Sequence, residues 1–93
     1  MRKYELMVIF PQEEDQYKEG RDHLLSDLAA GGAEIEKTDE IGDRDLAYEI
    51  DKRTRGRYVL FTLRLAPATI TNLDRVFKLN NNLVRYLFVR IEE

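Results

Sequence analysis

The chain has 93 residues, 43% of them hydrophobic and 35% charged, which suits one small globular domain over residues 1–93 and excludes a disordered chain. It holds no cysteine, so disulfides and thiolate metal sites are excluded. The net charge of −3 gives no overall attraction to nucleic acid, so such contact must come from local basic patches.

Residues 3–10 have β character and Pro11 stops them, which predicts a first strand. Glu5 interrupts the apolar run after the basic start, so this segment is not a secretory signal. No stretch approaches the roughly 20 apolar residues of a membrane span, and a cytoplasmic setting is expected. Residues 13–30 carry Tyr17, Leu24, Leu25 and Leu28 at helical spacing, with acidic residues at the positive end of the dipole. Gly20 weakens this helix and Gly31-Gly32 stops it. Residues 33–52 read as an extended second strand with a bulge or bend at Gly42. A basic turn follows, with Lys52, Arg53, Arg55 and Arg57 within six residues. Residues 58–65 form a third strand. Pro67 and Thr69 open a second helix with Ile70, Leu73, Val76 and Phe77 on one face, and three asparagines end it. Residues 84–91 form a fourth strand. The order βαββαβ with right-handed crossovers predicts an α+β ferredoxin-like sandwich, a four-stranded antiparallel sheet with two helices on one face.

That architecture leaves one sheet face open, and the period of two decides what lines it. In strand three Thr62 and Arg64 mark the outer face, which brings Tyr58 and Leu60 with them and sends Val59, Phe61 and Leu63 to the core. In strand one Lys3 and Glu5 bring Met7 and Ile9 outward. In strand four Arg90 is the outward marker, so Tyr86 and Phe88 are expected on the open face, with Leu87 and Val89 in the core. Six large apolar or aromatic residues on one face exceed what a free monomer usually exposes, and no spare segment is available to cover them. A macromolecular partner is expected there.

Catalytic chemistry is missing from the pattern. His23 is the only histidine, inside the first helix, and Ser26 three residues on has no orienting third group. The carboxylates Glu34, Glu36, Asp39, Glu40, Asp43, Asp45, Glu49 and Asp51 lack the spacing of a calcium loop and read as solvated strand charges. Gly31-Gly32 follows a helix where a phosphate loop would precede one. No enzyme activity, cofactor or metal is expected.

Several blocks stand together in order: Met1-Arg2-Lys3-Tyr4-Glu5, then Gly42-x-Arg44-x-Leu46-Ala47-Tyr48-x-Ile50-x-Lys52, Tyr58-Val59-Leu60, and Asn82-Leu83-Val84-Arg85. Over essentially all 93 residues the chain resembles small-subunit ribosomal protein six of bacteria. The resemblance implies the fold just deduced and a structural place in the small ribosomal subunit. It also implies binding to the central domain of small-subunit ribosomal RNA together with small-subunit ribosomal protein eighteen. Two departures stand out. Glu49 occupies the place of the family's usual proline, and the chain stops at Glu92-Glu93 without the tail common in relatives.

Candidate RNA contacts are Arg2, Lys3, Arg55, Arg57 and Arg85, clustered at strand ends in an acidic chain and suited to phosphate oxygens. The second strand is expected at a sheet edge, which invites a partner chain. The candidate partner surface is therefore Arg44, Leu46 and Tyr48 on that edge, with Met7, Ile9, Tyr58, Leu60, Tyr86, Phe88 and Arg90 on the open face. Two competing functions share the fold. An RNA-recognition motif would need stacking aromatics where this chain has Arg57, Val59 and Thr62. A small-molecule regulatory domain has no supporting constellation.

Overall fold

The computed structural model describes residues 1–50 and 52–91; Asp51 and Glu92-Glu93 lie outside the described residues. Alternation in the first segment builds β1 (Arg2–Phe10), and Pro11, without an amide donor, closes it. Next come α1 (Glu14–Ala30), β2 (Glu34–Ile50), β3 (Arg53–Leu65), α2 (Thr69–Lys78) and β4 (Arg85–Arg90). The sheet order is β2-β3-β1-β4 with every neighbouring pair antiparallel, so β2 and β4 are the edges. This is the ferredoxin-like arrangement expected from the sequence.

The hairpin turn falls earlier than the sequence suggested. Residues 53–57, read as a basic turn, belong to β3, and Arg55 pairs with Asp45 and Arg57 with Asp43 in the ladder. Lys52 adopts φ 65 at the turn itself. The ladder shifts register between Glu40 and Gly42, where Gly42 has φ 98, so the expected bulge is present.

Register determines the two faces. Residues opposite each other on neighbouring strands share a face. One set of rows runs Val59–Val8–Tyr86, Phe61–Leu6–Phe88 and Leu63–Tyr4–Arg90. Leu6, Val8, Val59, Phe61 and Leu63 are fully buried there, joined by Phe10, Leu24, Leu28, Leu65, Leu73 and Phe77. This is the core beneath the helices. The other rows run Tyr58–Ile9–Arg85, Leu60–Met7–Leu87 and Thr62–Glu5–Val89 on the open face.

Strand four is therefore one residue out of phase with the sequence reading. Leu87 and Val89, expected in the core, are 61% and 46% exposed. Tyr86 and Phe88, expected on the open face, pack against the core instead. Phe88 stacks parallel to Phe77 at 6.1 Å and meets Tyr4 edge-on at 6.3 Å. The Tyr86 ring meets Phe77 at 5.2 Å. The sequence reading rested on Arg90, but Arg90 sits opposite Tyr4 in a helix-side row at the end of an edge strand. There it is exposed without pointing to the open face. Residues 86–89 are apolar throughout, and Arg85 at the other end of the strand lies in an open-face row, so the two end arginines give opposite phases.

The Tyr86 hydroxyl donates to Asp74 Oδ1 at 3.0 Å, and burial followed by this carboxylate pushes its pKa up to about 12. The neutral phenol is favoured by folding. Its contribution is fully present below the unfolded pKa near 10 and is lost as pH rises from there to about 12. Between those values the denaturant midpoint of the parent should fall more steeply with pH than that of Tyr86→Phe. Parallel slopes would contradict the assignment.

Candidate nucleic-acid and protein interface

The far half of the β2–β3 hairpin bends over the open face. Gly56 sits where a Cβ would collide with Ile9 Cγ2 and lie 3.5 Å from Leu46 Cδ2. Ile9 is consequently 9% exposed although its row faces away from the helices. Farther along, Tyr48 of edge strand β2 reaches Arg85 of the opposite edge strand, and its hydroxyl accepts a hydrogen bond from the Arg85 guanidinium. The guanidinium carbon lies 5.5 Å from the Tyr48 ring centroid. So the chain covers part of its own open face, contrary to the sequence expectation that no segment could. What stays open is a groove of about 380 Å³ lined by Met7, Ile9, Arg85, Tyr86 and Leu87.

The structure divides the five candidate RNA residues. Arg2 lies opposite Leu65 at one end of the sheet, and Arg85 lies opposite Ile9 at the other. Those positions are seven residue steps apart along β1, roughly 23 Å along a strand. Neither arginine has an ion pair among the described residues. Lys3 is 3.3 Å from Glu36, which also accepts from Arg64 at 2.7 Å. The Arg64 and Lys3 hydrogen bonds hold the Glu36 carboxyl below its ordinary value. Arg55 pairs with Asp45 at 2.6 Å. Arg57 donates to Glu14 at 3.1 Å and to Asp43 at 3.3 Å, which raises its pKa further, and it covers the Tyr17 ring at 4.3 Å.

Arg53, which the sequence reading left out of the site, donates through one nitrogen to both oxygens of Glu13, at 3.1 and 3.0 Å. The Glu13 carboxyl is lowered by its own backbone amide first and by Arg53 second. On the other side of Tyr17, Arg21 bonds Glu40 and reaches the Tyr17 hydroxyl at 2.5 Å. That bond lowers the Glu40 carboxyl and raises the Arg21 guanidinium. The periodicity of α1 and the pairing of β3 bring these partners together. Glu13 and Arg53 are 40 residues apart, so no local sequence signal could have announced the pair.

Of the candidate partner residues, Met7, Tyr58 and Leu60 share the open face and remain partly exposed. Tyr48 is exposed, and Leu46 is half-buried beside the position a Gly56 side chain would take. Arg44 is exposed and donates to the Asp43 carbonyl at 2.8 Å. Tyr86, Phe88 and Arg90 leave the set, and Leu87 and Val89, which the sequence reading sent to the core, join it. The open face then offers one aromatic, Tyr58, in its three central rows. A base-stacking platform of the RNA-recognition-motif kind needs aromatics on its central strands, and aliphatic Met7, Leu60 and Leu87 stand in the middle row here. Among the described residues no group of histidine and carboxylate side chains could hold a metal ion. Among the described residues no helix is long and apolar enough to cross a membrane.

Residues 3–90 match the family described as Ribosomal protein S6. The small ribosomal subunit protein bS6 of Treponema denticola is 55% identical over 93 residues, the full length of both chains. The corresponding protein of Treponema pallidum is 39% identical over 99% of each. In structure, the 30S ribosomal protein S6 of Thermotoga maritima is similar with a TM-score of 0.86 at 22% identity, covering 97% of this chain and 87% of that one. The C-terminal domain of MgtC from Mycobacterium tuberculosis shares the fold at a TM-score of 0.63 and 13% identity, covering 100% of this chain and 90% of that one. The fold alone therefore does not separate functions, and the sequence match does. On that match, the chain belongs to the ribosomal protein S6 family, whose members are structural, non-enzymatic proteins of the cytoplasmic small ribosomal subunit.

Proposed function

We propose that this chain binds the central domain of small-subunit ribosomal RNA jointly with small-subunit ribosomal protein eighteen. Family membership supports the ribosomal setting. The observation that carries the finer reading is the position of Arg85. It has no carboxylate partner among the described residues and borders the uncovered apolar row of Leu60, Met7 and Leu87. A polyanion contact and an apolar protein contact can meet along that border. Arg2 and Arg85 are the leading phosphate contacts, and Lys3, Arg55 and Arg57 contribute once their carboxylates let go. The protein partner would cover Met7, Tyr58, Leu60, Leu87 and Val89, with Tyr48 and Arg44 at the rim.

The acidic balance of the chain fits a basic protein partner that supplies much of the phosphate neutralisation. Backbone contacts of this kind position a protein on RNA and read little sequence. In a reconstituted complex with the RNA and protein eighteen, Arg2→Gln/Arg85→Gln should weaken binding. It should also reduce the salt slope by about 1.8, two contacts at about 0.9 each for duplex RNA treated like DNA. Leu60→Ala/Leu87→Ala should instead weaken the protein pair measured without RNA. An unchanged salt slope in the arginine variant would contradict the phosphate assignment.

A further inference from the structure

The most basic stretch of the sequence forms one of the most fully ion-paired surfaces of the fold. Arg53, Arg55 and Arg57 all lie on β3 near the hairpin turn. Four carboxylates meet them: Glu13 and Glu14 from the start of α1, and Asp43 and Asp45 from β2. Each of the three arginines is matched by at least one carboxylate. All three nitrogens of Arg57 are engaged. Its Nη1 takes Glu14 at 3.1 Å, its Nε takes Asp43 at 3.3 Å, and its Nη2 takes the Gln12 carbonyl at 3.3 Å. Arg53 also donates from Nη2 to Gln16 Oε1 at 3.2 Å.

A carboxylate and a phosphate present similar paired oxygens to a guanidinium, so each can replace the other at the same fork. Glu14 and Asp45 are strongly exposed, at 81% and 79% of the side chain, while Asp43 is partly buried. Exposed pairs of this kind are weak and exchange readily. We propose that the β2–β3 hairpin is a phosphate-binding surface screened by the chain's own carboxylates. A lone phosphate gains too little to displace them. A dense phosphate array, held in register by a docked partner, displaces several at once. The screen keeps the free chain off unrelated polyanions and opens the hairpin only in the assembled complex. The proposal rests on the reading of RNA as partner and adds how its contacts are regulated.

The test compares two triple variants of equal charge in the full chain. Glu14→Gln/Asp43→Asn/Asp45→Asn removes the screen from Arg55 and Arg57. Glu19→Gln/Asp22→Asn/Glu34→Gln removes three exposed carboxylates that have no ion pair among the described residues. The probe is polyuridylate, titrated across a salt series. The unscreened triple should bind on the order of tenfold more tightly than the control triple at low salt. Its salt slope should be steeper by about 1.4, two contacts at about 0.7 each on a single strand. Adding Arg55→Gln/Arg57→Gln should return it to the control level. Equal binding by the two triples would overturn the screening while leaving the RNA reading intact. Absence of binding by every variant at low salt would contradict both. Should the unscreened triple fail to fold, Asp45→Asn alone, which touches only Arg55, should still bind about threefold more tightly than Asp22→Asn, and equality there overturns the proposal.

Discussion

Phe61→Ala is expected to lower the unfolding free energy by about 3–5 kcal/mol, a large share of what a domain of this size holds. Phe61 is fully buried, opposite Leu6 on β1 and Thr38 on β2, in the row that ends at Phe88. Truncation leaves a cavity at the centre of the sheet, where backbone pairing on both sides prevents collapse. The neighbouring Leu60 faces the open side, and Leu60→Ala should cost about 1 kcal/mol. Urea unfolding of the two variants measures both. A larger loss for Leu60→Ala than for Phe61→Ala would contradict the register of β3.

Gly20→Ala is the second large effect, and its expected sign is opposite to helix propensity. In an isolated helix the change favours folding by about 1 kcal/mol. Here Gly20 is buried where α1 meets the loop between α2 and β4. A Cβ would collide with the Asn82 carbonyl oxygen and sit 2.8 Å from the Asn82 Cβ, and backbone cannot yield as a flexible side-chain tip can. The same joint holds the one buried polar side chain among the described residues. Asn80 donates from Nδ2 to the Gly20 carbonyl at 3.2 Å and accepts from the Asn82 amide at 3.0 Å. Displacing the loop would strain both bonds. Overpacking of this kind typically costs about 1–3 kcal/mol, so a net loss of at least about 1 kcal/mol is expected in denaturant midpoints. A stabilised Gly20→Ala would mean that the loop moves freely.

The legibility of the chain varies element by element, for physical reasons. The order βαββαβ and the core of β1 and β3 follow from turn residues and clean alternation, as Thr62 and Arg64 show in β3. Strand β4 has no alternation across residues 86–89, and the arginines at its two ends, Arg85 and Arg90, lie in rows of opposite faces, so polarity alone gives no phase. Its phase is set by ring contacts to Phe77 and Tyr4, which are tertiary. Gly20 read as a weakness in a helix because its reason lies 62 residues away at Asn82. The basic run at the hairpin was visible, but its neutralisation by Glu13 and Glu14 depends on the packing of α1 against the hairpin. Arg85 could be chosen from sequence, whereas its contact with Tyr48 depends on the hairpin bending across two strands.

Sedimentation of ribosomal particles from cells expressing the tagged chain, with protein quantified across the gradient, tests the central claim most directly. The chain should co-migrate with the small subunit at one copy per particle, together with protein eighteen. Arg2→Gln/Arg85→Gln should shift part of it to the top of the gradient as salt is raised. A chain that stays at the top in low salt, with small subunits complete without it, would contradict the account.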